Sequence, residues 1–98
     1  MPRISLVVQL EVKPGEMDSL LEAARVHARR SVEEEPGCIS FDIVRPRGEE
    51  NRLIYLEMYT DQAALDIHSG TERIAAFREL MGPKVASRSL AICEVDEG

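Results

Sequence analysis

Strand, helix, strand, strand, two helices, strand: in that order the periodicities of this 98-residue chain predict a ferredoxin-like α+β fold, a split βαββαβ sandwich with an antiparallel sheet. Two observations carry the prediction. Apolar residues alternate with period two near the start, in the middle and at the end of the chain, and recur at spacings of three and four in between. Pro-Gly and Gly-Pro pairs fall where one period gives way to the other, and a Ser-Gly pair separates the two later helices.

Ile4, Leu6, Val8, Leu10 and Val12 share one face of the first strand, with Val7 on the other, and Pro14-Gly15 ends it. From Glu16 to Glu34 the positions Met17, Leu20, Leu21, Ala24 and Ala28 form the stripe of an amphipathic helix, closed by Pro36-Gly37. A strand from Cys38 to Arg45, a polar loop over 46–51 and a strand from Arg52 to Thr60 read as a hairpin. Asp61 caps a short helix through His68, stopped by Ser69-Gly70. Thr71 caps the next, whose stripe is Ile74, Phe77, Leu80 and Met81, and Gly82-Pro83 breaks it. The last strand is expected from Arg88 to Val95. No linker, low-complexity tract or repeat interrupts the series, so one domain is expected over 1–98.

The third strand is apolar on one parity (Ile54, Leu56, Met58) and aromatic or acidic on the other (Leu53, Tyr55, Glu57, Tyr59). Helices cover one face of such a sheet, so the other is expected to meet a second copy, giving a homodimeric α+β barrel. A thin core points the same way: the chain has 44% hydrophobic residues and no Trp.

The net charge of -6 excludes the basic face that nucleic-acid binding needs. Arg29-Arg30 is followed at once by Glu33-Glu34-Glu35, which reads as a solvated helix face. An apolar leader and a membrane-length apolar run are both lacking, so the chain is expected in the cytoplasm, with Cys38 and Cys93 as reduced thiols. Two His without acidic residues at ligand spacing give no metal site, and no phosphate-cradling loop or dinucleotide fingerprint is present; no cofactor is expected.

Three features carry chemistry. His27 borders the buried stripe of the first long helix, whose middle is small (Ala24, Ala28, Ser31); that leaves room for a ligand, or else allows close packing of helix on sheet. His68 shares a helix face with Ala64 and Leu65, which turns its ring towards the sheet, either as a base for a phenol or an enolisable carbonyl or as a partner for a terminal carbonyl. Glu57 lies on a central strand, where a carboxylate needs a partner. It could face the same cavity as Tyr55 and Tyr59, or pair with Arg45, Arg52 or Arg73.

Glu35-Pro36-Gly37-Cys38, Phe41-Asp42, Asn51-Arg52, the strand Tyr55-Leu56-Glu57-Met58-Tyr59, the segment Asp61 to His68, and Ala76-Phe77-Arg78 together resemble the antibiotic biosynthesis monooxygenase domain family. The resemblance spans nearly the whole chain and implies a small dimeric ferredoxin-like barrel. The family includes oxygenases of quinols and anthrones that use neither metal nor flavin, haem-degrading enzymes, and isomerases of a phosphorylated signalling sugar. The haem-degrading branch has Asn, Trp and His where this chain has Val8, His68 and Phe77, so that activity is not implied.

The resemblance implies a cofactor-independent monooxygenase acting on a small quinol- or anthrone-like aromatic with molecular oxygen. In that reading His68, the residue the resemblance carries over, is the base, Glu57 or His27 orients it or the substrate, and His27, Phe41, Tyr55, Tyr59 and Phe77 are expected to line the substrate site. Two alternatives stand beside it. An isomerase of a phosphorylated hydroxyketone needs a cationic site from Arg45, Arg52, Arg73 or Lys84. A non-enzymatic dimeric binding protein calls for a sealed apolar pocket and an ion-paired Glu57.

Overall fold

Every second side chain of β1 (Ile4–Val12) is buried, because the strand is central and its one fully apolar face carries the helices. The computed structural model describes residues 2–97. After β1 come α1 (Met17–Glu34), β2 (Cys38–Val44), β3 (Arg52–Tyr59), α2 (Gln62–Ser69), α3 (Glu72–Met81), a 3-10 turn (Gly82–Lys84) and β4 (Val85–Glu94). The strand order is β2-β3-β1-β4 and every neighbouring pair is antiparallel. That is the ferredoxin-like sandwich that the element order predicts, with the first and third strands central.

Tyr55, Glu57 and Tyr59 lie on the same face of the sheet as Leu6 and Val8, because β1 and β3 pair Ile4 with Tyr59, Leu6 with Glu57 and Val8 with Tyr55. Leu10, Leu20, Leu53 and Tyr59 are among the most deeply buried side chains of the resulting core. The small residue Gly37 lets α2 dock on the start of β2: a Cβ there would fall inside the contact distance of the Ala64 side chain. Gly37 also accepts a backbone hydrogen bond from Thr60, 2.9 Å long, which ties β2 to the end of β3.

Three expectations are corrected. β4 begins at Val85 rather than Arg88, because the 3-10 turn reverses the chain sooner and Val85 pairs with Val12. Leu80 is 46% exposed and lies off the buried stripe of α3, which is Ile74, Phe77 and Met81. Glu35 departs from the solvated run: Glu33 and Glu34 are exposed, but Glu35 is buried at 6%. On the face of the sheet away from the helices Val7, Ile54 and Met58 are half-buried and Leu56 is 39% exposed. No helix among the described residues is long and apolar enough to cross a membrane.

Candidate active site

The turn from β3 into α2 sets the phase of the helix and therefore the direction of His68. Asp61 caps α2, its carboxylate accepting the backbone N–H of Ala64 at 2.9 Å. With the start of the helix fixed, Ala64, Leu65 and His68 face the sheet, and His68 is 1% exposed.

The partner that orients the ring comes from the end of α1. Glu35 precedes a proline, which disfavours helical geometry; its backbone is extended (φ -112, ψ 107) and its side chain leaves the solvated face of the helix. Both its carboxylate oxygens lie 3.0 Å from His68 Nδ1. Arg73 of α3 donates to the same carboxylate and, over 2.9 Å, to the hydroxyl of Ser31. A carboxylate held by an arginine accepts and does not donate, so the Nδ1 proton of His68 points at Glu35. The other nitrogen, Nε2, then carries the lone pair. It is buried and has no hydrogen-bond partner among the described residues.

Burial lowers the pKa of His68, although the bond and charge of Glu35 oppose the shift, so the ring is neutral near pH 7. Glu57 Oε1 lies 3.7 Å from Nε2, which beside a neutral imidazole is proximity and not an ion pair. Glu57 is itself buried and accepts the Tyr59 hydroxyl at 2.6 Å. Burial pushes its carboxyl up to about 7, against the opposing effect of that hydrogen bond. Burial also raises the pKa of both tyrosines, with the Glu57 charge adding to it, so neither phenol is an acid of use near neutrality.

Rings enclose the imidazole. His27 stacks on Phe77 with centroids 4.3 Å apart and planes at 6°, and meets Phe41 edge-on at 5.5 Å. Its pKa falls to about 3, first through burial and then through the neighbouring His68 and Arg73. His27 is therefore a neutral aromatic wall and not a base. Tyr55 lies 5.6 Å from Phe41 and 6.3 Å from Phe77, with its hydroxyl 3.7 Å from Met81 Sδ.

These side chains bound a cavity of about 60 Å³, lined by His27, Phe41, Tyr55, Glu57, His68 and Phe77, with Arg78, Arg88 and Leu90 also on its wall. Six of the seven residues singled out from the sequence thus meet in one place. The seventh, Tyr59, is fully buried and lies off the cavity wall, serving Glu57 as a donor. The arginines considered for Glu57 are engaged or exposed elsewhere. Arg52 contacts Gln9 and Glu49, Arg73 holds Glu35, and Arg45 is exposed by the β2–β3 loop. Lys84 pairs with Glu16 at 3.1 Å.

Glu35 is the residue that sequence reasoning missed. Its signal was the following proline, which takes the last acidic residue of the run out of helical phase. Cys38 and Cys93 are free thiols, and burial raises Cys38 to about 11, which leaves it without nucleophilic character. Among the described residues no three His, Cys, Asp or Glu side chains are placed to hold a metal ion.

Residues 3–80 match the sequence profile of a family described as antibiotic biosynthesis monooxygenase. A Bacillus subtilis protein named "Putative monooxygenase YcnE" is 32% identical over 74 residues, covering 76% of this chain and 77% of its own length. An uncharacterized Synechocystis protein, sll1783, is 30% identical over 70 residues; the match covers 71% of this chain and 47% of that protein. Among solved structures, the "putative antibiotic biosynthesis monooxygenase" from Caulobacter crescentus CB15 superposes with a TM-score of 0.93 at 28% identity, over 98% of this chain and 92% of that one. Protein SO0527 from Shewanella oneidensis gives a TM-score of 0.87 at 25% identity, over 96% and 91%.

Proposed function

The chain belongs to the antibiotic biosynthesis monooxygenase family, and on that premise we propose that it is a cofactor-independent monooxygenase of a small quinol- or anthrone-like aromatic, with His68 as general base. One observation carries the reading: His68 turns an unpartnered, buried Nε2 towards a ring-lined cavity while Glu35, itself held by Arg73, bonds its other nitrogen. A histidine kept only for structure would have both nitrogens satisfied.

The substrate's acidic hydrogen, on a phenol oxygen or on the anthrone methylene, passes to Nε2. The resulting anion is electron-rich enough to give one electron to O2, and the two radicals join at a ring carbon. One oxygen atom stays as a carbonyl. The other leaves as water, taking up the proton held on Nε2 and the remaining hydrogen of that carbon. Glu35 stabilises the imidazolium that forms in between, as a carboxylate on the far nitrogen does in catalytic triads. Glu57, still protonated in part near pH 7, can donate a hydrogen bond to the substrate oxygen as negative charge develops there. His27, Phe41, Tyr55 and Phe77 supply ring contacts and keep water from the anion.

The reading includes a homodimer in the cytoplasm. Val7, Ile54, Leu56 and Met58 offer an apolar patch on the uncovered side of the sheet, suited to packing against the same patch of a second copy. Support for this reading over a plain binding protein comes from Glu57, which bonds Tyr59 instead of a cation, and from the polar groups on the cavity wall.

Oxygen uptake against a panel of quinols and anthrones, with no metal or flavin added, tests the reading. Turnover is expected with at least one member, and His68→Ala should abolish it while added imidazole restores a part. A His68→Ala protein with full activity would overturn the assignment of the base.

A further inference from the structure

Arg78 on α3 and Arg88 on β4 both line the cavity, and neither forms an ion pair or a side-chain hydrogen bond among the described residues. Seven of the twelve Lys and Arg residues have no carboxylate partner among the described residues, and of these Arg78 and Arg88 are the two on the cavity wall. Acidic residues outnumber basic ones 18 to 12, and Arg3, Arg30, Arg52, Arg73 and Lys84 all have carboxylate partners. The register places Arg88 on the helix side of the sheet, beside Leu10 and two residues from Leu90, which pairs with Val8 on the cavity wall. Arg78 follows Phe77 directly, and its charge acts on His27, Glu57 and His68 alike.

Among the described residues no other carboxylate joins Glu57 on that wall. With both imidazoles neutral and Glu57 largely uncharged below pH 7, the cavity is a cationic spot on an acidic protein. Low-dielectric walls focus such a field and draw in ligands of opposite sign. Among the described residues the cavity wall has one buried polar atom without a partner, Nε2 of His68, and the cavity has room for one ring more readily than for a fused tricycle.

We infer that the substrate is a single-ring aromatic bearing an anionic group, with Arg78 and Arg88 holding that anion at one side of the cavity while His68 meets the ring at the other. The inference rests on the reading of this cavity as the substrate site. Carboxylate and phosphate offer the same paired oxygens to a guanidinium, so the shared chemistry is an oxyanion held by two arginines.

The test measures binding apart from turnover, by anaerobic calorimetry on the intact protein. Gentisate (2,5-dihydroxybenzoate) is set beside hydroquinone, and phenyl phosphate beside phenol; the two pairs separate a carboxylate source from a phosphate one. At least one anionic probe should bind about tenfold tighter than its neutral partner, a preference that added salt weakens. Arg78→Gln and Arg88→Gln should each remove part of it and the double variant nearly all, with circular dichroism unchanged because both side chains are exposed. Equal affinity within both pairs, no binding of either anion, or a preference that survives in the double variant would overturn the inference. An anion preference without oxygen uptake would leave it standing and defeat the oxygenase reading.

Discussion

Replacing Glu57 by Gln should stabilise the protein in alkaline solution relative to acid, by an amount that follows from the burial of one carboxyl. The group moves from 4.5 to about 7 on folding because desolvation penalises its charge. A carboxyl raised in this way favours the folded state fully below its unfolded value, and that contribution is lost as the pH climbs through the folded value. Between pH 5 and pH 8 the loss amounts to about 2–3 kcal/mol.

Gln keeps the shape and an oxygen to accept the Tyr59 hydroxyl, but it does not ionise. Urea denaturation of both proteins at fixed concentration should therefore show the difference between variant and wild type moving by about 2–3 kcal/mol in the variant's favour from pH 5 to pH 8. The difference is the quantity to read, since His27, lowered to about 3, adds stability with rising pH between that value and 6.5 in both proteins. A difference that stays constant with pH would refute the claim that Glu57 carries a penalised charge.

Glu35→Gln should lower kcat by about a hundredfold, by analogy with carboxylates that fix a catalytic imidazole. Because Glu35 holds the pKa of His68 up, the acid limb of the rate profile should move to lower pH; an unmoved limb would leave Glu35 with a purely structural role. Gly37→Ala should cost about 1–3 kcal/mol in a denaturant titration, as the new methyl group meets Ala64. Leu56→Glu should convert the proposed dimer to monomers in light scattering; a wild-type protein already monomeric at micromolar concentration would remove the sheet-to-sheet interface.

The parts of this molecule that were legible in its sequence are those governed by local periodicity. The alternation in β1 and β3 and the three-four spacing in α1 depend on nearest neighbours along the chain, so the element order and the shared parity of Tyr55, Glu57 and Tyr59 followed from them, while which side of the sheet that parity faces came only with the pairing of β3 to β1. His68 could be aimed at the sheet because four residues of helix connect it to Ala64. Glu35 could not be paired with it, since a gap of 33 residues separates them and only the three-dimensional docking of α1, α2 and α3 brings Arg73, Glu35 and His68 together. The same limit hid Arg78 and Arg88, while Arg45 and Arg52 were candidates only because they flank the right strands. Leu80 misled because a residue at the margin of a helical stripe is decided by which neighbour happens to cover it.

The cavity draws Leu6 and Val8 from β1 and Arg88 and Leu90 from β4, strands that pair across most of the length of the chain. Contacts of such sequence separation carry a large loop-closure entropy and form late. A partially folded chain can therefore hold β1, α1 and the β2–β3 hairpin and still lack the wall that closes the cavity. Any ligand of the site binds only the finished fold, so it acts on the last step of folding, and a protein caught before that step exposes an unpaired edge of β1 to its neighbours.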